Sequence, residues 1–186
     1  MPVYLGPMIG FDVAGYSLRS FSEQEKIQAL VQDVASRAVR DAGADVLFDR
    51  WLNRGDGGFI LLLGEVKLGP RLVELMCARL RIHNSPPGAV GLNARYALHF
   101  GMFQEKLEHL DAAHSGPDID TLAFILSNMS HDIPDQVVIS DQYRVLLEES
   151  GNPSYCFQEI PDLTDKHGRV RKVWNFHSSG CGKRLP

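Results

Sequence analysis

Cysteine is scarce in this 186-residue chain: Cys77, Cys156 and Cys181 are odd in number and widely spaced. That excludes a disulfide frame or a clustered zinc site as the organising element. A basic surplus is also missing. Lys and Arg total 19 against 23 Asp and Glu, for a formal net charge of −4, which argues against a duplex nucleic-acid binder while leaving a single nucleotide open as ligand. Long apolar runs are absent too. Clean runs such as 59–63 and 137–139 are at most five residues long, far short of the roughly 20 residues that span a bilayer. The opening Met-Pro-Val-Tyr-Leu-Gly has no basic region before an apolar stretch, so no signal peptide is expected and a reducing, cytoplasmic setting is.

What is present is a soluble composition, 44% hydrophobic and 23% charged, with enough chain for one packed domain. No linker or repeat interrupts it. We expect one domain over 1–177 and a flexible basic tail over 178–186. The apolar pattern switches between strand-like and helical periods. A strand is predicted over 3–13. Ser22 and Glu25 form a capping-box pattern, so a helix is expected to start there, with Ile27, Leu30, Val31, Val34 and Ala38 on one face and Gly43 as its stop. Strands are predicted over 44–52 and 59–63, flanking Gly55-Asp56-Gly57-Gly58, a strong hairpin signal.

A helix over 70–82 and a loop over 84–88 follow, then a strand over 92–100 that extends as far as 103. Beyond it come a helix over 119–129, a strand over 136–140 and a short helix over 142–149. Strands over 155–160 and 170–176 form a closing pair around a polar turn at 164–168. Helices mixed with strand hairpins imply an α+β sandwich on a largely antiparallel sheet.

Two segments carry chemistry. In Phe11-Asp12-Val13-Ala14-Gly15-Tyr16-Ser17 an Asp ends a buried strand, where a carboxylate is costly unless paired, hydrogen-bonded or metal-bound. The glycine turn behind it can offer free N–H groups to phosphate. The second segment puts Asp56 at a hairpin tip. If that hairpin pairs with the first strand, Asp12 and Asp56 meet at one sheet edge and suit Mg²⁺ or Mn²⁺, hard cations that prefer oxygen ligands. Each Asp alone has a plainer reading, Asp12 as a cap and Asp56 as a turn residue. Their joint placement is what points to metal chemistry.

These segments resemble the class III nucleotidyl cyclase domain, the catalytic unit of adenylate and guanylate cyclases. The family's first metal motif reads roughly Phe-x-Asp-Ile/Val-x-Gly-Phe/Tyr-Thr/Ser. The chain follows it from Asp12 onward, with Phe11 one place closer. Gly55-Asp56-Gly57 matches the family hairpin, 44 residues beyond Asp12. Asn93-Ala94-Arg95-Tyr96-Ala97-Leu98-His99-Phe100-Gly101 looks like the strand Arg-x-Ala/Gly-Leu/Ile-His-x-Gly. Pro134-Asp135-Gln136-Val137-Val138-Ile139-Ser140 is similar to Pro-Gly-Gln-Ile-x-Val-Ser, and Lys166-His167-Gly168 to the last hairpin. The likeness spans about residues 4–177.

The resemblance implies a ferredoxin-like α+β sandwich that converts a nucleoside triphosphate to a 3′,5′-cyclic nucleotide and pyrophosphate. It implies two Mg²⁺ or Mn²⁺ ions held by Asp12, Asp56 and the Val13 carbonyl. The triphosphate would lie on the backbone of Ala14, Gly15, Tyr16 and Ser17, with Arg95 at its β- or γ-phosphate. Lys166 would reach it from a partner chain, because family sites lie between two domains, here a homodimer. The plainer reading is a strand-edge salt bridge for Arg95 and a solvated turn residue for Lys166. His99 reads as a packed structural histidine.

Three departures stand out. Leu52 occupies the place, four residues before Asp56, of a purine-reading Lys or Glu. Arg50 and Arg54 flank it on the same strand face and could donate to a base carbonyl. The helix that bears Asn-x-x-x-Arg in the family has no Arg here, only Asp118, Asp120 and Asn128 as notable polar groups. With the purine reader missing, the chain is similar to the pyrimidine cyclases of bacterial antiphage signalling, which make cyclic CMP or cyclic UMP. The alternatives are a degenerate cyclase-homology domain that binds nucleotide or a partner without turnover, and an α+β module with no nucleotide site.

Overall fold

The structure, a computed structural model, describes residues 3–44, 51–53, 57–87, 91–108, 111–130, 133, 135–165 and 167–178. Arg50, Arg54, Asp56, Lys166 and the tail from 179 lie outside the described residues. In chain order come β1 (Val3–Val13), a 3-10 turn (Tyr16–Leu18), α1 (Phe21–Asp41), β2 (Trp51–Asn53), β3 (Gly57–Leu61), α2 (Leu68–Asn84), β4 (Ala94–Glu108) and β5 (Asp111–Ser115). They are followed by α3 (Pro117–Ser127), β6 (Val137–Ser140), α4 (Asp141–Glu149), β7 (Tyr155–Glu159), β8 (Leu163–Thr164), β9 (Val170–Arg171) and β10 (Val173–Ser178).

One sheet runs β2-β3-β1-β4-β6-β10-β7, with β5 added on β4, and a small ribbon pairs β8 with β9. Every pairing is antiparallel except β4 with β6. The α+β architecture expected from the pattern is the one observed.

Strand alternation sorts the core onto two faces. Ile9, Phe11 and Val13 of β1, with Tyr96 and Leu98 of β4, join α1, α2 and α4 in one cluster. The stripe Ile27, Val31, Val34, Ala38 is what α1 buries there, as helical spacing requires. Met8 and Ala97 point the other way and pack against Ile119, Leu122 and Ile125 of α3. Arg95 and His99, two residues to either side of Ala97 on β4 and on the same face, therefore look toward α3.

Several boundaries differ from the sequence reading. The α1 capping box uses Ser20 and Glu23, not Ser22 and Glu25. Two Ser-x-x-Glu frames overlap, and the turn that ends at Leu18 leaves Ser20 extended (φ −63°, ψ 157°), so the earlier frame closes. The strand predicted to end by 103 continues to Glu108 and is met by β5, which the reading lacked. Gln104-Glu105-Lys106-Leu107-Glu108 has one large apolar residue and Asp111-Ala112-Ala113-His114-Ser115 none, so the stretch carries no apolar alternation and its pairing is what defines it. The last predicted strand is broken in two at Lys172, whose carbonyl turns to accept from the Asp141 N–H at 3.1 Å. β10 also includes Ser178, buried at 7% exposure, a residue assigned to the tail.

Candidate active site

Asp12 lies one residue before the end of β1, opposite Gly57 of β3 and Arg95 of β4. β3 approaches so closely that a Cβ on Gly57 would sit 2.0 Å from the Phe11 carbonyl oxygen. Only glycine admits that contact, and it sets Gly57, the residue after Asp56 in the chain, against Asp12. Beside them a cleft of about 440 Å³ opens between the ends of β1, β3 and β4 and the α3 residues Ala123, Phe124 and Ser127.

Arg95 is buried, at 4% exposure, while the Asp12 side chain keeps 20%. Arg95 Nη2 donates to the Asp12 carboxylate, and Nη1 donates to the Met129 carbonyl at 2.6 Å, just past the end of α3. The third nitrogen, Nε, is buried without a hydrogen-bond partner among the described residues. Arg95 lines the cleft, and its guanidinium is engaged with Asp12 and the Met129 carbonyl. The reading of Arg95 as a salt-bridging residue describes the observed contact, with the difference that the pair is buried on the cleft side.

The turn after β1 is built for a tight reversal. The Ala14 N–H donates to the Asn93 carbonyl at 2.9 Å, and Gly15 takes a left-handed φ of 73°, a conformation that favours glycine. Gln24 of α1 donates to the carbonyls of Tyr16 (3.3 Å) and Arg19 (3.1 Å), and Gln28 donates to the Tyr16 hydroxyl at 2.5 Å. Among the described residues no acceptor takes the N–H of Gly15, Tyr16 or Ser17. Val13 is paired with Ala94 on β4, with its carbonyl next to this turn.

Of the other candidates, Arg50, Arg54, Asp56 and Lys166 fall outside the described residues. The turn that holds Lys166 is organised by Asp165, which accepts from the N–H groups of His167 (2.8 Å) and Arg169 (3.0 Å) and from Arg169 Nε (2.6 Å). The Arg169 N–H, foremost among these donors, helps hold the Asp165 carboxyl down to about 2.

On α3 the cleft is lined by Ala123, Phe124, Leu126 and Ser127. Asn128 turns away, its amide donating to the Phe124 carbonyl at 2.8 Å. Asp120 is exposed. Asp118 belongs to a different cluster: its Oδ1 meets His99 Nε2 at 3.3 Å and its Oδ2 accepts from the Met102 N–H at 2.7 Å. His99 Nδ1 meets Ser140 Oγ at 2.7 Å. Burial pushes the His99 pKa down from 6.5, and the hydrogen bond and charge of Asp118 oppose that only in part. His99 is 3% exposed, a packed histidine as read.

Sequence reasoning missed the Met129 carbonyl as anchor for Arg95 and Phe124 as a cleft residue. A main-chain acceptor leaves no trace in residue identity. Phe124 reads from the sequence as one more apolar position of α3.

The donors fit a hard divalent cation. Asp12 offers a carboxylate at the cleft and Val13 a neighbouring carbonyl, both oxygen. Among the described residues no three His, Cys, Asp or Glu side chains converge, and Asp56 lies outside them.

No protein-family profile and no curated protein matches the sequence. Solved structures do match. The guanylate cyclase domain of RhGC from Catenaria anguillulae, solved with GTP, aligns over 96% of this chain and 99% of its own at 13% identity, TM-score 0.70. The adenylyl cyclase CyaB from P. aeruginosa aligns over 96% and 97% at 11% identity, TM-score 0.71. An adenylate/guanylate cyclase/hydrolase from Silicibacter pomeroyi aligns over 96% and 99% at 18% identity, TM-score 0.71. The chain has the fold of class III adenylate and guanylate cyclase catalytic domains. Among the described residues no helix is long and apolar enough to cross a membrane.

Proposed function

We propose that this chain is a nucleotide cyclase that closes a nucleoside triphosphate to its 3′,5′-cyclic monophosphate and pyrophosphate. The observation that carries the reading is the placement of Asp12, on a cyclase fold, at a cleft and opposite the glycine that follows Asp56. Asp12, Asp56 and the Val13 carbonyl hold two Mg²⁺ or Mn²⁺ ions. When bound, the ions supply Lewis acidity to the ribose 3′-hydroxyl and offset charge on the leaving pyrophosphate. The N–H groups of Gly15, Tyr16 and Ser17 receive phosphate oxygens, with Ala14 shaping the turn. Arg95 and, from a partner copy, Lys166 add positive charge along the triphosphate. The working unit is a homodimer.

Leu52 supports a pyrimidine base, CTP or UTP, because the purine-reading Lys or Glu is missing. Arg50 and Arg54 then supply donors for a base carbonyl. A cyclic pyrimidine nucleotide in turn fits an antiphage signalling role inside the cell.

One observation favours a second reading. The α3 residues that line the cleft are Ala123, Phe124, Leu126 and Ser127, none of them Asn or Arg, whereas the family helix carries Asn-x-x-x-Arg. Losing one preorganised transition-state donor costs roughly 10²–10³ in rate, so a domain that binds nucleotide without turning it over is the competing function.

The deciding assay incubates the protein with ATP, GTP, CTP and UTP in Mn²⁺ and measures cyclic monophosphates by mass spectrometry. Asp12→Asn and Asp56→Asn serve as controls. One cyclic product that vanishes in both controls establishes the cyclase and names its base. Nucleotide binding without product moves the function to the binding domain.

A further inference from the structure

Arg95 has an unusual position for a residue at a cation site. Its guanidinium, not solvent, faces the carboxylate that a metal ion needs. It is held there by a second bond to the Met129 carbonyl, which is independent of any ligand. Its Nε–H is buried with no partner among the described residues. A buried donor left unpaired is destabilising. The arrangement is therefore well fixed but incompletely satisfied.

We propose that Arg95 is the positioning residue that sets the cation affinity of Asp12: it acts as a built-in counter-ion that a divalent metal has to displace. This rests on the reading of Asp12 as a metal ligand. In the metal-free protomer the Arg95 charge neutralises Asp12. A cation that binds Asp12 takes over the oxygen that Nη2 holds, and Arg95, still tied to Met129, turns its freed donors toward the cleft. A triphosphate beside it then satisfies them. Metal and nucleotide binding are coupled through one side chain: metal alone binds weakly, and nucleotide raises its affinity because it gives Arg95 a new partner. By linkage the metal raises nucleotide affinity by the same factor.

The alternative is a purely structural pair, in which Arg95 ties β4 to α3 and β1 and has no bearing on metal. Its removal then lowers stability and leaves cation binding as it was.

The test is Mn²⁺ binding to nucleotide-free protein, followed by electron paramagnetic resonance of free Mn²⁺, in wild type and in Arg95→Gln, Arg95→Lys and Asp12→Asn. Removal of one charge-assisted competitor should tighten Mn²⁺ binding about tenfold in Arg95→Gln, while Arg95→Lys, which keeps the charge, stays near wild type. Asp12→Asn should lose the site. A nonhydrolysable triphosphate should tighten Mn²⁺ in wild type and do so less in Arg95→Gln.

A second readout follows the Arg95 Nε–H by ¹⁵N nuclear magnetic resonance in unsubstituted protein, where it should shift on addition of Mg²⁺. If Asp12→Asn binds Mn²⁺ like wild type, the metal reading of Asp12 fails. If Asp12→Asn loses the site, Arg95→Gln binds no more tightly than wild type and the Nε–H signal ignores Mg²⁺, the metal reading stands and the counter-ion role of Arg95 is overturned.

Discussion

Two polar clusters lie four residues apart on the same face of β4, and both reach α3. At His99 the network is closed. Both ring nitrogens have partners, Asp118 uses one oxygen on His99 and the other on the Met102 N–H, and Ser140 completes the set. At Arg95 the network is open. One guanidinium nitrogen is unpaired among the described residues, and the carboxylate it meets is part-exposed beside a cleft. Similar residue types have opposite uses. Satisfied polar groups hold a fold together, whereas incompletely satisfied ones next to a cavity are where a ligand gains most.

The sharpest break of this contrast is Asp12→Asn. It should lower cyclisation by at least about 10³-fold, the scale of a lost metal ligand, with an unchanged circular dichroism spectrum. Next comes Gly57→Ala. Its methyl has no room against the Phe11 carbonyl, and overpacking of this kind costs about 1–3 kcal/mol. Both the melting temperature and the activity should fall together.

His99→Leu does the reverse of Asp12→Asn. It removes the ring's bonds to Asp118 and Ser140, each worth about 1 kcal/mol, so urea unfolding should shift while turnover per folded molecule holds. Activity loss on the scale of Asp12→Asn would erase the distinction between the clusters.

A smaller effect is the pH dependence of the same histidine. Its folded pKa lies below 6.5 because of burial, so the unfolded chain binds the proton more readily. The stabilisation is complete above 6.5 and is lost as pH falls through the lower folded value. Urea midpoints should drop over that acid window in wild type and drop less in His99→Leu. Smallest is Asn128→Ala, which removes a bond to the Phe124 carbonyl. A change below about 1 kcal/mol and unaltered turnover are expected. A rate loss of 10² or more would assign Asn128 the ribose-positioning task of the family Asn.

Much of the fold was readable because its signals are local. Among the described residues the strands with an apolar pattern and the helices with a stripe appear near their expected places, and β2 pairs with β3 as the Asp-Gly signal predicts, while residues 45–50 of the strand expected over 44–52 lie outside the described residues. What escaped had no local signal. β5 is polar and exists through pairing with β4. The break at Lys172 answers to Asp141, far away in sequence. At the site, Asp12 could be singled out because a carboxylate ending an apolar strand needs an explanation. Sequence offers Arg95 either a phosphate or a strand-edge salt bridge but not the identity of its partner, since a pairing 83 residues away depends on sheet register, which sequence spacing does not encode.

The α3 helix is tied to β4 near both its ends, by Asp118 on His99 and by the Met129 carbonyl on Arg95. That wall of the cleft is therefore preorganised, and the conformational entropy of ordering it is spent in folding and not when a ligand arrives. Adaptation to a guest falls instead to the Gly15 turn, where the left-handed residue has open space around it. Selection among ligands of different size should thus be steep on the α3 side and forgiving at the Gly15 turn.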